Sequence, residues 1–320
     1  MRHVVLLAFD GIQLLDVAGP ASVFGAAAEA VAGSYRITVA ASGSEVRSSC
    51  GATLKTCLAG DIDPAGVDLL LITGGDTAGL RATVRNTGLR NWAVAVAATA
   101  ERYGSICTGA FLLAAWGLAD GRRVATHWQG STELARRHPK LSVDTDALYV
   151  EDGRVWTSAG VTTGIDMSLA LVERDHGAAI ATAIARRLVL HGRRSGHQSQ
   201  FSALLEAQSA ALDSGYAALI DWMQDQLAEP LEIEVLAARV NQSVRNFHRR
   251  FAEATGQTPA AFVTRLRLDH ARALLDAGLT PQRAAADSGF GSSERLARAF
   301  GKTFGISPAA YAAVAVRKAT

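Results

Sequence analysis

The 320-residue sequence has few cysteines and no long apolar run, and each shortage excludes a class of protein. Its three cysteines leave no disulfide framework and fit a reducing cytoplasm. No segment reaches the roughly 18 to 20 uninterrupted apolar residues that cross a bilayer. The apolar run from Val4 to Phe9 resembles a signal peptide, but Asp10 and Asp16 interrupt its continuation. We therefore expect a first β-strand there, a cytoplasmic protein and no membrane partner.

Charge is also scarce, and its distribution matters more than its total. Charged residues make up 19% of the chain against 49% hydrophobic ones, which excludes global disorder, and the formal net charge is only +2. From Asn241 to Lys302 there are ten Lys or Arg against five Asp or Glu, whereas Asp213 to Val240 has six acids and one Arg. Any nucleic-acid surface is therefore confined to particular helices.

The first half alternates short apolar runs with helical stretches, the pattern of an α/β domain with a largely parallel sheet. The Asp152-Gly153 pair is a hairpin signal between the last two strands. Strands are predicted at 3–9, 35–41, 68–73, 103–106, 148–151 and 155–157. Helices are predicted at 17–30, 88–102, 108–116, 131–137, 164–175 and 178–190.

A polar, Gly-containing stretch, HGRRSGHQS at 191–199, marks the expected domain junction, and no strand pattern recurs after it. The chain is long enough for two domains of ordinary size. We predict a first domain over 1–190, a linker over 191–212 and an all-helical domain over 213–320, in which prolines mark helix starts.

An internal repeat is the strongest signal in the sequence. Displacing the C-terminal region by 49 positions superposes one pattern on another. A helix-capping Ser, apolar residues four apart, an Arg on another face, a helix-ending Gly and a helix-opening Pro recur in both copies. The matched sets are Ser243, Phe247, Arg249, Phe251, Gly256, Pro259 and Phe262 with Ser292, Leu296, Arg298, Phe300, Gly305, Pro308 and Tyr311.

Each copy reads as a helix-turn-helix, because a short Ala-rich helix (234–239 and 281–287) and a turn precede the capping Ser. The second helix of such a unit enters the major groove, where Arg can pair with guanine and Glu with cytosine. One long helix, Ala260–Ala277, would hold the two reading helices about 34 Å apart. The alternative is a solvated amphipathic face, which the duplication disfavours. The candidate DNA contacts are Arg245, His248 and Arg249 in the first copy and Ser293, Glu294, Arg295 and Arg298 in the second.

These motifs closely resemble the AraC family of regulators over 213–317. The resemblance rests on LAARVNQSVRNFHRRFAEATGQTPAAF at 236–262 and GFGSSERLARAFGKTFGISPAAY at 289–311. It implies a tandem helix-turn-helix domain that binds promoter DNA, with base reading centred on the same seven candidate residues.

Cys107 stands where a predicted strand turns into a helix, in GSICTG, which is the setting of a nucleophile elbow. The nearby helix N-terminus would favour its thiolate. Gly74 and Gly75 follow another strand and offer backbone amides for an anion or oxyanion, and Asp16 adds a carboxylate. The plainer interpretations are a small buried thiol, a turn and a helix cap. We interpret Cys50 and Cys57 as small buried thiols and assign His127 a structural role.

The first domain is similar to the PfpI-like, or class I glutamine-amidotransferase-like, superfamily over nearly all of 1–190, especially isocyanide hydratases and the sensor halves of GlxA-like regulators. The motifs are FDGIQLLDVAGPASVF, LLITGG, SICTGAFLLAAWGLADGRRVATHW and VWTSAGVTTGIDMSLALV. The resemblance implies a flavodoxin-like three-layer α/β sandwich with a pocket lined by Asp16, Gly75, Cys107 and Thr108. Protease-like members have His directly after the nucleophile, where this chain has Thr108, so a Cys-His dyad of that kind is unsupported.

Together the two halves predict a GlxA-like regulator of the AraC family. Its partners would be promoter DNA, a small-molecule effector such as a nitrogen compound, and a second copy bound through the first domain. We expect activation of transcription, no cofactor and no metal. Two rivals stay open, namely a Cys-dependent hydratase or amidase with an accessory DNA-binding domain, and a DNA-binding protein with a vestigial pocket and a protein partner.

Overall fold

The chain divides into two compact units, Met1–Gln200 and Phe201–Thr320. The computed structural model describes residues 1–190, 194, 196, 200, 215–304 and 306–317, with side chains to residue 313. Most of the predicted linker, 191–212, and the predicted start of the second domain at 213 lie outside the described residues. The domain boundaries therefore stay a prediction.

A seven-stranded sheet forms the centre of the first unit. Its strands are β1 (Arg2–Leu7), β2 (Tyr35–Ala41), β5 (Cys57–Leu58), β6 (Leu69–Ile72), β7 (Arg102–Ile106), β10 (Tyr149–Asp152) and β11 (Val155–Ser158). Their order in the sheet is β10-β11-β7-β6-β1-β2-β5, and every neighbouring pair is parallel except the β10–β11 hairpin. Small two-stranded sheets pair β3 (Glu45–Arg47) with β4 (Thr53–Lys55) and β8 (Arg123–Ala125) with β9 (Ser142–Asp144).

Helices cover both faces of this sheet. From β1 the chain crosses to β2 in one direction, and from β6 it crosses to β7 in the other, so right-handed crossovers place the two connecting helices on opposite faces. Strands β1 and β6 are buried on both sides accordingly. The helices are α1 (Leu14–Ala30), α2 (Thr77–Val84), α3 (Thr87–Thr99), α4 (Gly109–Ala115), α5 (Trp128–Arg137), α6 (Thr163–His176) and α7 (Ala178–Arg187). The flavodoxin-like sandwich expected from the sequence is confirmed.

The described part of the second unit is helical. Its helices are α8 (Ala217–Asp225), α9 (Ile233–Arg239), α10 (Val244–Thr255), α11 (Pro259–Asp276), α12 (Pro281–Asp287), α13 (Ser293–Phe304) and α14 (Pro308–Arg317). Two apolar clusters lie along α11: Phe262 and Leu266 pack with the first helix-turn-helix, and Leu268 and Leu275 with the second. Helix α11 therefore contributes side chains to the apolar cores of both helix-turn-helix units.

The 49-residue repeat is visible in the packing. Helices α10 and α13 have the same bounds after the shift, and Phe251 and Phe300 are both fully buried. The Phe251 ring lies 5.3 Å from Phe262, and the Phe300 ring lies 5.4 Å from Tyr311, both edge-on. Each copy thus anchors its reading helix to the following helix in the same way.

Sequence patterns missed the shortest elements. Strands of two or three residues show no periodicity, so β3, β4, β5, β8 and β9 were not predicted. The eight-residue α2 was also missed, although Asp76 caps it by accepting a hydrogen bond from the Gly79 amide at 2.7 Å. Across the residues described, no helix is long and apolar enough to span a membrane.

Candidate functional site

The predicted pocket residues lie at the carboxyl ends of three parallel strands. Asp16 follows β1, Gly74 and Gly75 follow β6, and Cys107 follows β7. Crossovers leave β1 and β6 in opposite directions, so the sheet reverses its winding between these strands. Open α/β sheets bind ligands at such a reversal. The fold therefore brings Asp16, Gly75, Cys107 and the following Thr108 together at this edge.

Cys107 occupies a strained turn between β7 and α4. Its φ of 56° lies in the left-handed region, which non-glycine residues seldom adopt. The Cys107 amide donates to the Ser158 carbonyl at 2.9 Å, and the Thr126 hydroxyl donates to the Cys107 carbonyl at 2.9 Å. A Cβ at Gly160 would lie 2.1 Å from Cys107 Cβ, so only glycine fits beside the thiol. Hydrogen bonds with Ser158 and Thr126, together with close packing against Gly160, thus fix the elbow predicted from GSICTG.

Asp16 is a fully buried carboxyl group without a cationic partner among the described residues. Its Oδ1 accepts from the Val161 amide at 2.8 Å and its Oδ2 from the Gly74 amide at 3.0 Å. The Cys107 thiol also hydrogen-bonds to it. Burial raises the pKa of Asp16 to about 6, because these three contacts offset only part of the desolvation.

The thiolate expected at Cys107 is not what the structure favours. Burial, reinforced by the neighbouring Asp16 carboxylate, raises the pKa of Cys107 to about 12. Hydrogen bonds with Thr108 lower the pKa only in part, so at neutral pH the thiol stays protonated. Cys50 and Cys57, expected to be small buried residues, are both exposed, and the pKa of Cys50 is lowered by hydrogen bonds, chiefly from Ser48.

The amides of Gly74 and Gly75 are also not available as an oxyanion site in this conformation. The Gly74 amide donates to Asp16, and the Gly75 amide donates to Thr108 Oγ1 at 3.0 Å. In turn the Thr108 hydroxyl donates to the Gly75 carbonyl at 3.0 Å. Buried donors require partners, and here side chains of the site supply them. The expectation of free amides is therefore wrong for this state.

Sequence reasoning missed the turn that closes the site. Gly160 (φ 100°) and Val161 (φ 51°) both have left-handed backbones, which is costly for a β-branched residue such as Val161. This turn supplies one of the two amides that hold Asp16, and its Gly160 packs closely against Cys107 Cβ. The run SAGVTTG was visible in the sequence, but nothing local in it indicated that it faces Cys107.

Two residues near the end of the first unit contact the neighbours of this site. Arg194 bonds to the Asp166 carboxylate with Nε at 3.0 Å and Nη2 at 2.6 Å, and to Thr162 Oγ1 at 2.9 Å. Gln200 Nε2 donates to the Thr126 carbonyl at 3.0 Å. Arg194 and Gln200 thus contact Thr162, beside the turn at Gly160 and Val161, and Thr126, whose hydroxyl bonds to the Cys107 carbonyl.

His127 has a structural contact, in line with the role assigned to it. It precedes α5, and its Nδ1 accepts from the Gln129 amide at 3.4 Å. Burial lowers its pKa, which favours the neutral imidazole. No group of three or more potential metal ligands occurs among the described residues.

In the second unit, the reading helix of the first copy, α10, presents its candidate side chains to solvent. Ser243 caps it by accepting from the Asn246 amide at 3.4 Å, and Phe247 and Phe251 are buried on its inner face. The three candidate DNA contacts of this copy, Arg245, His248 and Arg249, are exposed on the other face.

Helix α13 repeats this arrangement. Ser292 accepts from the Arg295 amide at 3.3 Å, and Leu296 and Phe300 are buried. Glu294, Arg295 and Arg298 are exposed and Ser293 is half-buried. Both helices therefore expose a polar N-terminal half to solvent, as expected of helices that read DNA.

The chain matches two known protein families. The DJ-1/PfpI family model matches residues 2–174, and a helix-turn-helix domain model matches residues 236–313. These matches coincide with the sandwich and with the two helix-turn-helix copies.

Curated relatives include regulators that span both units. The chain is 28% identical over 272 residues to the HTH-type transcriptional regulator GbdR of Pseudomonas aeruginosa, covering 85% of this chain and 72% of that protein. It is 29% identical over 211 residues to the HTH-type transcriptional regulator GlxA of Rhizobium meliloti, covering 65% and 64%. It is also 27% identical over 246 residues to the isonitrile hydratase of Pseudomonas putida, covering 75% and 98%.

Solved structures share the fold of the first unit. An AraC family transcriptional regulator from Pseudomonas putida superposes with a TM-score of 0.53 at 21% identity, covering 59% of this chain and all of that one. Drosophila melanogaster DJ-1beta gives 0.51 at 20% identity, covering 60% and 99%. At these identities the likeness concerns the fold alone.

Proposed function

The chain belongs to the DJ-1/PfpI family, and we infer that its first unit senses a small molecule that governs DNA binding by the second. Its AraC-type helix-turn-helix domain makes it a DNA-binding transcription regulator. The effector and its binding residues are the parts that we propose.

The observation that carries this proposal is the uncompensated carboxyl group of Asp16. Its partners among the described residues are two amides and a thiol, with no Lys, Arg or His in ion-pair contact. A buried carboxylate without a cation is costly. A ligand that carries an ammonium group would supply the missing charge, so an amine or amino acid is the effector class that this site fits best.

Binding requires the site to open, because Asp16 and Cys107 are 0% and 7% exposed. The strained turn at Gly160 and Val161 is the segment that we expect to move, since a ligand on Asp16 competes with the Val161 amide. Movement of this turn disturbs Thr162, which contacts Arg194. A ligand-linked change thus has a physical route to the chain that enters the second unit.

Thermal shift with a panel of amines and amino acids tests this function. Each amine is paired with a neutral analogue of the same shape, and wild type is compared with Asp16→Ala. An ammonium compound should raise the melting temperature of wild type and not of the variant, because only the native site binds it. If neutral analogues stabilise the protein equally, or the variant responds like wild type, Asp16 is not the cation site.

An enzymatic role is the second candidate, and the Cys107–Asp16 hydrogen bond favours it, as does the likeness to an isonitrile hydratase. Against it stand the raised pKa of Cys107 and the occupied amides of Gly74 and Gly75. Turnover of an isonitrile by wild type and its loss in Cys107→Ala would favour the enzyme.

Association of two copies through the first unit stays a prediction. Light scattering coupled to gel filtration, with and without DNA, gives the mass directly. A monomer under both conditions would contradict it.

A further inference from the structure

The repeat allows each exposed position of α10 to be compared with its counterpart in α13. Arg249 and Arg298 occupy equivalent places on the solvent faces of the two helices, and both are exposed. Their surroundings differ at the positions three residues before and four residues after each arginine. Those positions hold Asn246 and Glu253 in the first copy, but Arg295 and Lys302 in the second.

In the first copy the guanidinium of Arg249 is held by both neighbours. Its Nη1 lies 3.1 Å from Glu253 Oε1, and its Nη2 donates to Asn246 Oδ1 at 3.2 Å. Both members of the Arg249–Glu253 pair are more than half exposed. Such a pair changes a folding equilibrium by only about two-fold, so folding stability does not account for its presence.

In the second copy the corresponding neighbours are both cationic. Among the described residues, no acidic side chain lies in ion-pair contact with Arg295, Arg298 or Lys302. Glu294 stands four residues before Arg298 but does not pair with it, so no ion pair among the described residues fixes the orientation of Arg298. Glu253, in contrast, offsets the charge of Arg249 and restricts its orientation.

Phosphate contacts and base contacts make different demands on an arginine. Docking on phosphates depends on net charge and on counterion release, and it tolerates loose geometry. Reading a guanine requires two donors aimed at N7 and O6, and it gains from a fixed orientation. A guanidinium has five N–H donors, so Arg249 keeps enough of them for a base after bonding its two neighbours.

We propose that the two helix-turn-helix units divide the work: Arg249, oriented by Asn246 and Glu253, reads a base edge, while Arg298 and Lys302 dock the second unit on phosphates. Glu253 is a positioning residue in this scheme. The proposal rests on DNA binding by both units, and it adds the role of each.

The test uses the full-length protein and DNA that wild type enriches from a random-sequence pool, compared with a scrambled duplex of equal length. Fluorescence anisotropy gives both affinities over a series of salt concentrations. Four single variants are compared in two matched pairs. Arg249→Ala is paired with Arg298→Ala, and Glu253→Gln is paired with Lys302→Gln, which neutralises the same position in each copy. Circular dichroism checks that each variant is folded.

Arg249→Ala should lower the ratio of selected to scrambled affinity by about 5- to 150-fold, with little change in the salt slope. Glu253→Gln should also lower this ratio while strengthening binding to scrambled DNA, because the helix gains net positive charge. Arg298→Ala and Lys302→Gln should weaken binding to both duplexes by the same factor, with a flatter salt slope.

The division of work is overturned if Arg298→Ala lowers the ratio as strongly as Arg249→Ala. An unchanged ratio in folded Glu253→Gln removes its positioning role. A wild-type protein that enriches no sequence from the pool would instead contradict sequence-specific DNA binding itself, so the two failures are distinguishable.

Discussion

Ionisation of Asp16 should destabilise the first unit as pH rises, and the effect is large enough to measure. Its pKa is raised from an ordinary value of 3.8 to about 6, a shift of roughly two units. One unit corresponds to about 1.4 kcal/mol, so the ionised carboxyl costs the fold about 3 kcal/mol at high pH. Because the pKa of Asp16 is higher in the folded state than in the unfolded state, its contribution to the free energy of unfolding is fully present below pH 3.8. That contribution is lost as the pH rises through about 6.

The perturbation that isolates this effect is Asp16→Ala. The variant loses hydrogen bonds at every pH, but its unfolding free energy has no contribution from this titration. The difference in unfolding free energy, wild type minus variant, should therefore fall by about 2 kcal/mol between pH 4.5 and 7.5. Other titrating groups cancel in that difference.

Urea denaturation followed by tryptophan fluorescence is a suitable assay, because four of the five tryptophans lie in the first unit. A difference that does not change with pH would show that Asp16 ionises normally. A difference that moves in favour of wild type as pH rises would show a lowered pKa and refute the burial argument.

Three further predictions follow from contacts in the two units. Alkylation at pH 7 should label Cys50 before Cys107, since the thiol of Cys107 is buried with a raised pKa; mass spectrometry that finds Cys107 labelled first would contradict this. Gly160→Ala should cost at least about 2 kcal/mol of stability, because its methyl group would overlap Cys107; a melting temperature equal to that of wild type would count against the closed turn. Phe251→Ala and Phe300→Ala should each cost about 3 to 5 kcal/mol in the second unit, seen by circular dichroism, and an unaffected second unit would contradict the paired cores.

The sequence predicted the parts of the fold that depend on periodicity. The buried strands β1 and β6 carry continuous apolar runs, and the 49-residue repeat marked Ser243 and Ser292, directly after which both reading helices begin. Strands β3, β4 and β5 were missed because two or three residues carry no pattern, and their pairing depends on residues far apart in the chain.

The sequence predicted that Asp16 and Cys107 lie near each other, but not the chemistry of their surroundings. The pocket that they were expected to line stays a prediction, because both side chains are buried. The sequence suggested a thiolate at a helix N-terminus, but burial beside a carboxyl group is a tertiary effect that reverses the shift. The turn at Gly160 and Val161 was missed for the same reason, because its contacts with Cys107 and Asp16 span more than fifty residues.

If the first unit controls DNA binding, ligand binding and DNA binding must be thermodynamically coupled. The affinity of full-length protein for its selected DNA is measured with and without the amine that gives the largest thermal shift. We predict that saturating amine changes the DNA dissociation constant, that DNA changes the amine dissociation constant by the same factor, and that Asp16→Ala loses both effects. An amine that binds through Asp16 and leaves the DNA affinity unchanged would show that this site does not control DNA binding.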